Sequence, residues 1–285
     1  MAYPQCLIEE LVKYGAQPTG NLDWDKAMLA TLRKRAESKE PWLTINAVAS
    51  RVYADARKAQ VASNDLSDED TYTMHSRLVM HIANTLVLAP QRRRFVVDEH
   101  NGKVLRYLLY YFNVCPLAEK VFPDAGFKLH KNIMLQGPTG TGKTTLMQIF
   151  SEYLRRNNNP RLFYNVSVTM MVNYFSIHNN IDRFTYNEYE GKGFKIQPYH
   201  LCLNDIGVEN RPFYGIDTKT IVSDFLPARN EIWANGEFDR RFAHLTTNLT
   251  TDQLMKEFSE KDAFGRLVDR FKTYNVIPLL GESRR

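Results

Sequence analysis

Apolar residues recur along this chain in two different rhythms. Over residues 1–90 they fall at helical spacing. Leu7, Ile8, Leu11 and Val12 form one short amphipathic stripe, and Asp23 is placed to cap a helix carrying Met28, Leu29 and Leu32. Thr44 is placed to cap another that carries Val48 and Val52. Residues 63–70 are polar and acidic and read as a loop, and residues 71–87 as a further helix stopped near Pro90. Residues 104–112 continue the helical pattern. After residue 128 short apolar runs alternate with helical patterns. The runs at 132–136, 162–166, 201–204, 244–247 and 276–280 are expected strands. Residues 219–233 and 252–258 are expected helices, the first kinked or interrupted at Pro227. Such alternation predicts a three-layer α/β domain on a mostly parallel five-stranded sheet. The expected organisation is a small helical N-terminal domain over 1–90, a basic and helical connector over 91–127, and the α/β domain over 128–285.

The first strand runs into Gly137-Pro138-Thr139-Gly140-Thr141-Gly142-Lys143-Thr144, followed by Thr145. Every fixed position of the phosphate-binding pattern G-x-x-x-x-G-K-[ST] is filled. Glycines let backbone N–H groups curl around phosphate oxygens. Lys143 supplies a point charge for the β- and γ-phosphates, and the Thr144 hydroxyl can ligate Mg²⁺. Leu146, Ile149, Phe150 and Leu154 follow at helical spacing, so a helix N-terminus adds its dipole to the anion site.

A phosphate loop needs an acid at the end of a neighbouring strand. The run Leu201-Cys202-Leu203-Asn204-Asp205-Ile206-Gly207 ends in Asn204-Asp205, where two acids are usual. Two registers are open. In one, Asn204 takes the metal-side position beside Thr144 and Asp205 is the catalytic acid. In the other, Asp205 is the metal-side acid and Glu209 is tested for orienting water. Asn204 brings no charge to a metal, so slow hydrolysis is expected, and Asn204→Asp raises turnover if Asn204 holds the metal side. Glu188, Glu190 and Glu209 otherwise read as surface carboxylates. Leu245-Thr246-Thr247-Asn248-Leu249 ends another strand. Asn248 either aims its amide at a γ-phosphate or caps the helix starting near Thr250; beside a phosphate loop the first reading is preferred. Arg266 and Arg270 are four apart and share a helix face. They can complete a neighbouring subunit's phosphate site, or form a solvated face paired with Asp262 or Asp269.

The formal net charge of +5 and pI near 9.0 allow a polyanionic partner without requiring one. Gln91-Arg92-Arg93-Arg94-Phe95 is a local basic cluster, either solvated or a phosphate contact. The three cysteines, Cys6, Cys115 and Cys202, have no metal or redox spacing. The first residues carry no signal-peptide pattern, and no apolar run is long enough to span a bilayer. A cytoplasmic protein without membrane contact is expected.

Taken in order, the loop at 137–144, Leu201–Glu209 with its Asn-Asp-Ile-Gly-Val-Glu, Thr-Thr-Asn-Leu at 246–249, the stretch 264–270 and the closing Gly-Glu-Ser-Arg-Arg resemble an AAA+ ATPase of the DnaC/DnaI/IstB helicase-loader type. The resemblance covers about residues 95–285. It implies an AAA+ P-loop NTPase fold, with ATP and Mg²⁺ held by Gly137–Thr145. Asn204 and Asp205 would occupy the acidic-strand positions, and Asn248 would sense the γ-phosphate. Arg270 is the first choice for an arginine finger, Arg266 the second, and Arg285 matches a terminal sensing arginine. The resemblance also implies single-stranded DNA and a replicative helicase as partners, homo-oligomers bridged through the ATP site, and residues 1–90 docking on the helicase. The segment 179–199 interleaves Tyr189 and Phe194 with Lys192 and Lys195. That pattern stacks bases and pairs phosphates, or it is an aromatic-rich packed surface.

Four functions follow. The first is an ATP-controlled helicase loader. The others are an IstB-like transposition ATPase serving a transposase, an ATP-switched interaction module with little turnover, and a small-molecule kinase. The kinase is weakest, since no acceptor clamp or lid is found.

Overall fold

Helices α1 (Gln5–Lys13) and α2 (Leu22–Glu37) pack through Leu7, Leu11, Met28, Leu29 and Leu32. Asn21, not Asp23, caps α2: its Oδ1 accepts the N–H groups of Asp23 and Trp24 at 3.1 and 3.3 Å. The computed structural model describes residues 4–37, 65–187, 198–207, 218–235, 241–259 and 269–284. The helix expected to carry Val48 and Val52 lies outside them.

α3 (Glu69–Ile82) starts two residues early, because the Asp68 carboxylate accepts the Thr71 N–H at 2.8 Å. A π-helical turn, Ala83–Val87, prolongs it towards the expected stop at Pro90. Then follow α4 (Gly102–Phe112), α5 (Ala118–Val121), β1 (Asn132–Gln136), α6 (Lys143–Arg156), β2 (Tyr164–Ser167), α7 (Val168–His178), β3 (Leu201–Ile206), α8 (Thr218–Ala234), β4 (Ala243–Thr247), α9 (Thr251–Ser259) and β5 (Tyr274–Pro278). The five strands form one sheet in the order β2-β3-β4-β1-β5, and every neighbouring pair is parallel.

Strand alternation sets the layers. Ile133 and Leu135 of β1 face a core shared with Val79 and Ile82 of α3, Leu108 and Phe112 of α4 and Phe150 of α6. Met134 of β1 and Leu201 and Leu203 of β3 face a second core, with Met171 of α7, Phe225 of α8 and Leu254 of α9. The fold is therefore the expected three-layer α/β arrangement. The compact units are Met1–Asp65 and Leu66–Arg285, so the boundary lies ahead of residue 90. The reason is that Leu66, Val79 and Ile82 are buried in the same core as β1. None of the described helices is long and apolar enough to cross a membrane.

Buried histidines make this fold acid-sensitive. His244 on β4 accepts the Ile133 N–H at Nδ1 (3.1 Å) and is enclosed by Tyr111, Phe112 and Phe163. Burial, with His200, Arg161 and Arg229 nearby, holds its pKa well below the ordinary 6.5. His75 of α3 sits 2.6 Å from the Tyr153 hydroxyl and is lowered by burial alike. Both bind a proton less readily folded than unfolded. Their contribution is complete above the unfolded pKa of 6.5 and is lost as pH falls below it. The urea midpoint is expected to decline below that pH, each histidine costing up to about 1.4 kcal/mol per pH unit. A midpoint unchanged on acidification across this window would contradict the burial of neutral imidazoles.

Candidate nucleotide-binding site

β1 ends at Gln136, and Gly137 donates its N–H to the Thr247 carbonyl at 3.2 Å. The loop therefore leaves the sheet where β4 also ends, at the carboxyl edge where open α/β sheets bind ligands. Gly142 has φ +95, a backbone open to glycine, and it leads directly into α6. Gly137 is required for another reason. A Cβ there would lie 2.0 Å from the Leu279 carbonyl oxygen, where the chain leaves β5. No side chain caps the N-terminus of α6. Its first-turn N–H groups have no intrahelical acceptor, which suits an anion.

Lys143 is 4% exposed, and its Nζ donates to the carbonyls of Gly137 (2.7 Å) and Pro138 (2.8 Å) and to Asn248 Oδ1 (2.6 Å). Asn248 thus points into the loop. The capping role falls to Thr250, whose Oγ1 accepts the Gln253 N–H while Gln253 Oε1 accepts the Thr250 N–H. On the same side, Thr144 Oγ1 lies 3.5 Å from Asp205 Oδ2.

Asn204 is turned elsewhere. Its side chain is buried and bonds to Asn165 and Thr246. The structure brings Asp205, not Asn204, to Thr144. The cause is a break in strand alternation at Asp205, whose φ is +63.

A cavity of about 810 Å³ opens over the loop. Thr139–Leu146, Asp205 and Asn248 line it together with Arg93, Arg94 and Asp98. Arg284 also lines it; its guanidinium donates to Asp98 at 2.6 Å, and its N–H donates to the Gly140 carbonyl at 3.0 Å. Burial pushes the Asp98 pKa up, but the backbone N–H of Asn101, the charge of Arg284 and the backbone N–H of His100 outweigh it and hold it below its ordinary value. The cationic lining groups Arg93, Arg94, Lys143 and Arg284 outnumber Asp98 and Asp205, as a polyphosphate requires. A second cavity, about 670 Å³ with an apolar floor of Val79, Leu109 and Phe150, holds no part of the loop.

Arg93 and Arg94, expected in solvent or against nucleic acid, line the cavity, as does Arg284, the neighbour of the expected Arg285. No local periodicity could reveal this, because the Arg284 contacts join it to Gly140 and Asp98, more than a hundred positions away, and Arg93 and Arg94 meet the loop from dozens of positions upstream. Arg270 is described and does not line the cavity of its own chain. Arg266, Arg285, Glu188, Glu190, Glu209, Tyr189, Lys192, Phe194 and Lys195 lie outside the described residues.

Thr144 and Asp205 offer two hard oxygen donors to one point, which fits Mg²⁺. That ion is commonly held by one or two carboxylates together with substrate phosphates. Among the described residues no cluster of three or more His, Cys, Asp or Glu side chains forms a protein-only metal cage.

No family model matches the chain, and no curated protein matches it. Among solved structures it is similar to the crystal structure of DnaI, with 18% identity and a TM-score of 0.40, over 65% of this chain and 87% of that one.

Proposed function

We propose that this chain is an ATP-binding and ATP-hydrolysing loader of a replicative helicase, an AAA+ protein of the DnaC type. The observation that carries the nucleotide reading is the convergence of Lys143, Asn248, Thr144 and Asp205 at one end of the sheet. The loop N–H groups and Lys143 bind the phosphates. Thr144 and Asp205 hold Mg²⁺, which when bound neutralises phosphate charge. Asn248 reaches the γ-phosphate position from β4. What supports a loader over other phosphate-loop enzymes is the order of sequence motifs after the loop. Arg270, outside its own cavity, and Arg266 serve the site of a neighbouring subunit, so that nucleotide bridges the oligomer. Lys192, Lys195, Tyr189 and Phe194 contact single-stranded DNA, and the N-terminal helices dock on the helicase.

One observation favours a second reading, the ATP-switched module with little turnover. The acids among the described lining residues are Asp98, paired with Arg284, and Asp205, facing Thr144. Neither is left to orient water; Glu209, the candidate for that role when Asp205 holds the metal, lies outside the described residues. Steady-state ATP hydrolysis across protein concentration, with and without single-stranded DNA, separates the two. The loader reading expects a rate per protomer that rises with both. Tight ATP binding with a flat, near-zero rate would replace it by the switch.

A further inference from the structure

We propose that Asn204 is a positioning residue whose neutral amide, acting through Thr246, aims the Asp205 carboxylate at Thr144. The inference rests on the reading of the loop as a Mg²⁺–ATP site. Four hydrogen bonds run in one direction. The Asn165 amide donates to the Met147 carbonyl at 3.3 Å, which leaves Asn165 Oδ1 facing Asn204. The Asn204 amide donates to that oxygen at 3.1 Å, so Asn204 Oδ1 faces Thr246. The Thr246 hydroxyl donates to Asn204 Oδ1 at 3.3 Å and, its proton engaged, accepts the Asp205 N–H at 2.9 Å. Reversing either amide would set like groups against each other, so each link fixes the next. Asn204 is 4% exposed and Thr246 fully buried.

The last link breaks the strand ladder. With the Asp205 N–H turned to a side chain, the pairing of β3 with β4 shifts between Leu203 and Ile206, and Asp205 takes φ +63. In an unbroken strand, neighbouring side chains point to opposite faces. A bulge re-aims one of them. Aspartate tolerates the left-handed backbone, but such a conformation persists only where its surroundings enforce it. Here the enforcement is the Thr246 hydroxyl, held in turn by Asn204.

An aspartate at position 204 would therefore not restore a missing acid. Ionised, it has no proton to give Asn165 Oδ1 and would set two oxygens about as close as the present 3.1 Å contact, in a buried site; protonated to avoid that clash, it brings no charge to a metal. The gain in turnover anticipated for Asn204→Asp from the sequence is reversed to a loss.

The test titrates the full chain with a fluorescent ATP analogue with and without Mg²⁺, and follows ATP turnover and melting temperature alongside. Wild type binds more tightly with Mg²⁺. Asn204→Asp and Thr246→Val are expected to lose at least about tenfold of that Mg²⁺-dependent gain while Mg²⁺-free affinity holds. Thr246→Ser keeps the hydroxyl and keeps the gain. A packing role alone would move the melting temperature and leave the Mg²⁺ difference untouched. If Asn204→Asp does not fold, the Val and Ser variants at 246 decide by the same criterion. An Mg²⁺ gain in Asn204→Asp or Thr246→Val equal to wild type, or a rise in turnover, overturns the proposal. Wild type that binds no analogue under either condition overturns the site reading, and the proposal with it.

Discussion

Replacing Lys143 with alanine is expected to abolish nucleotide binding and leave the fold standing. The ammonium is buried and donates to two loop carbonyls and the Asn248 amide oxygen. Those neutral acceptors hold it over the cavity. A phosphate arriving there would gain a charge-assisted hydrogen bond in a site of low dielectric, where such bonds are strongest. Removing it should cost at least about a thousandfold in affinity, about 4 kcal/mol. The effect on stability is much smaller. A buried charge is removed together with its hydrogen bonds, and the relief of its desolvation offsets much of their loss. Titration with a fluorescent ATP analogue, set against a thermal melt of the same sample, separates the two effects. Affinity within threefold of wild type would refute the phosphate-loop assignment. Lost affinity with a collapsed melt would mean that Lys143 holds the loop together instead of serving a ligand.

The phosphate loop was legible because everything it needs is local. Glycines, lysine, threonine and both flanking elements lie within about two dozen residues, and β1 appears over the 132–136 expected. Where long-range contacts decide, the sequence misleads. Residues 162 and 163 are apolar and read as strand, yet the Leu162 N–H bonds to the Asn159 carbonyl in a turn, and β2 starts at Tyr164. β5 begins two residues early, with Tyr274 and Asn275, a polar residue that hydropathy discounts. Asn275 is buried because its amide donates to the Tyr107 hydroxyl and the Lys128 carbonyl. Pro227 was expected to kink or interrupt its helix, and α8 runs from Thr218 to Ala234 with the proline inside. Ile221, Val222, Phe225 and Leu226 are buried against the sheet, and that packing outweighs the loss of one helical hydrogen bond. At the site, the choice between Asn204 and Asp205 was not legible. A strand pattern assumes alternation, and a single residue at φ +63 inverts it.

Arg229 supplies the largest stability effect expected outside the site, and its sequence context gives no hint of it. It lies two residues after Pro227 on α8 and is 1% exposed. Its guanidinium donates to the carbonyls of Thr185 (3.3 Å), Tyr199 (2.9 Å) and Phe242 (2.9 Å). Thr185 and Tyr199 flank in sequence the stretch that carries Tyr189, Lys192, Phe194 and Lys195, and Phe242 leads into β4. One side chain therefore ties three segments. Burial draws its pKa down to about 10, which still leaves it charged at neutral pH. Arg229→Met fills much of the volume and removes the cost of burying a charge. It also takes a donor from three carbonyls; that of Phe242 keeps the Leu201 N–H at 3.0 Å, while those of Thr185 and Tyr199 lose the guanidinium. At about 1–3 kcal/mol for each group left unsatisfied, the carbonyls should win, for a net loss of about 2–4 kcal/mol, a large share of the stability of an ordinary domain. Urea unfolding of the full chain checks this. Arg155→Met is the control, since Arg155 pairs with Glu152 on the surface of α6 with 61% of its side chain exposed. An exposed pair of this kind contributes little to stability. If Arg229→Met and Arg155→Met shift the midpoint alike, desolvation of the guanidinium cancels its hydrogen bonds, and these segments must be held by apolar packing alone.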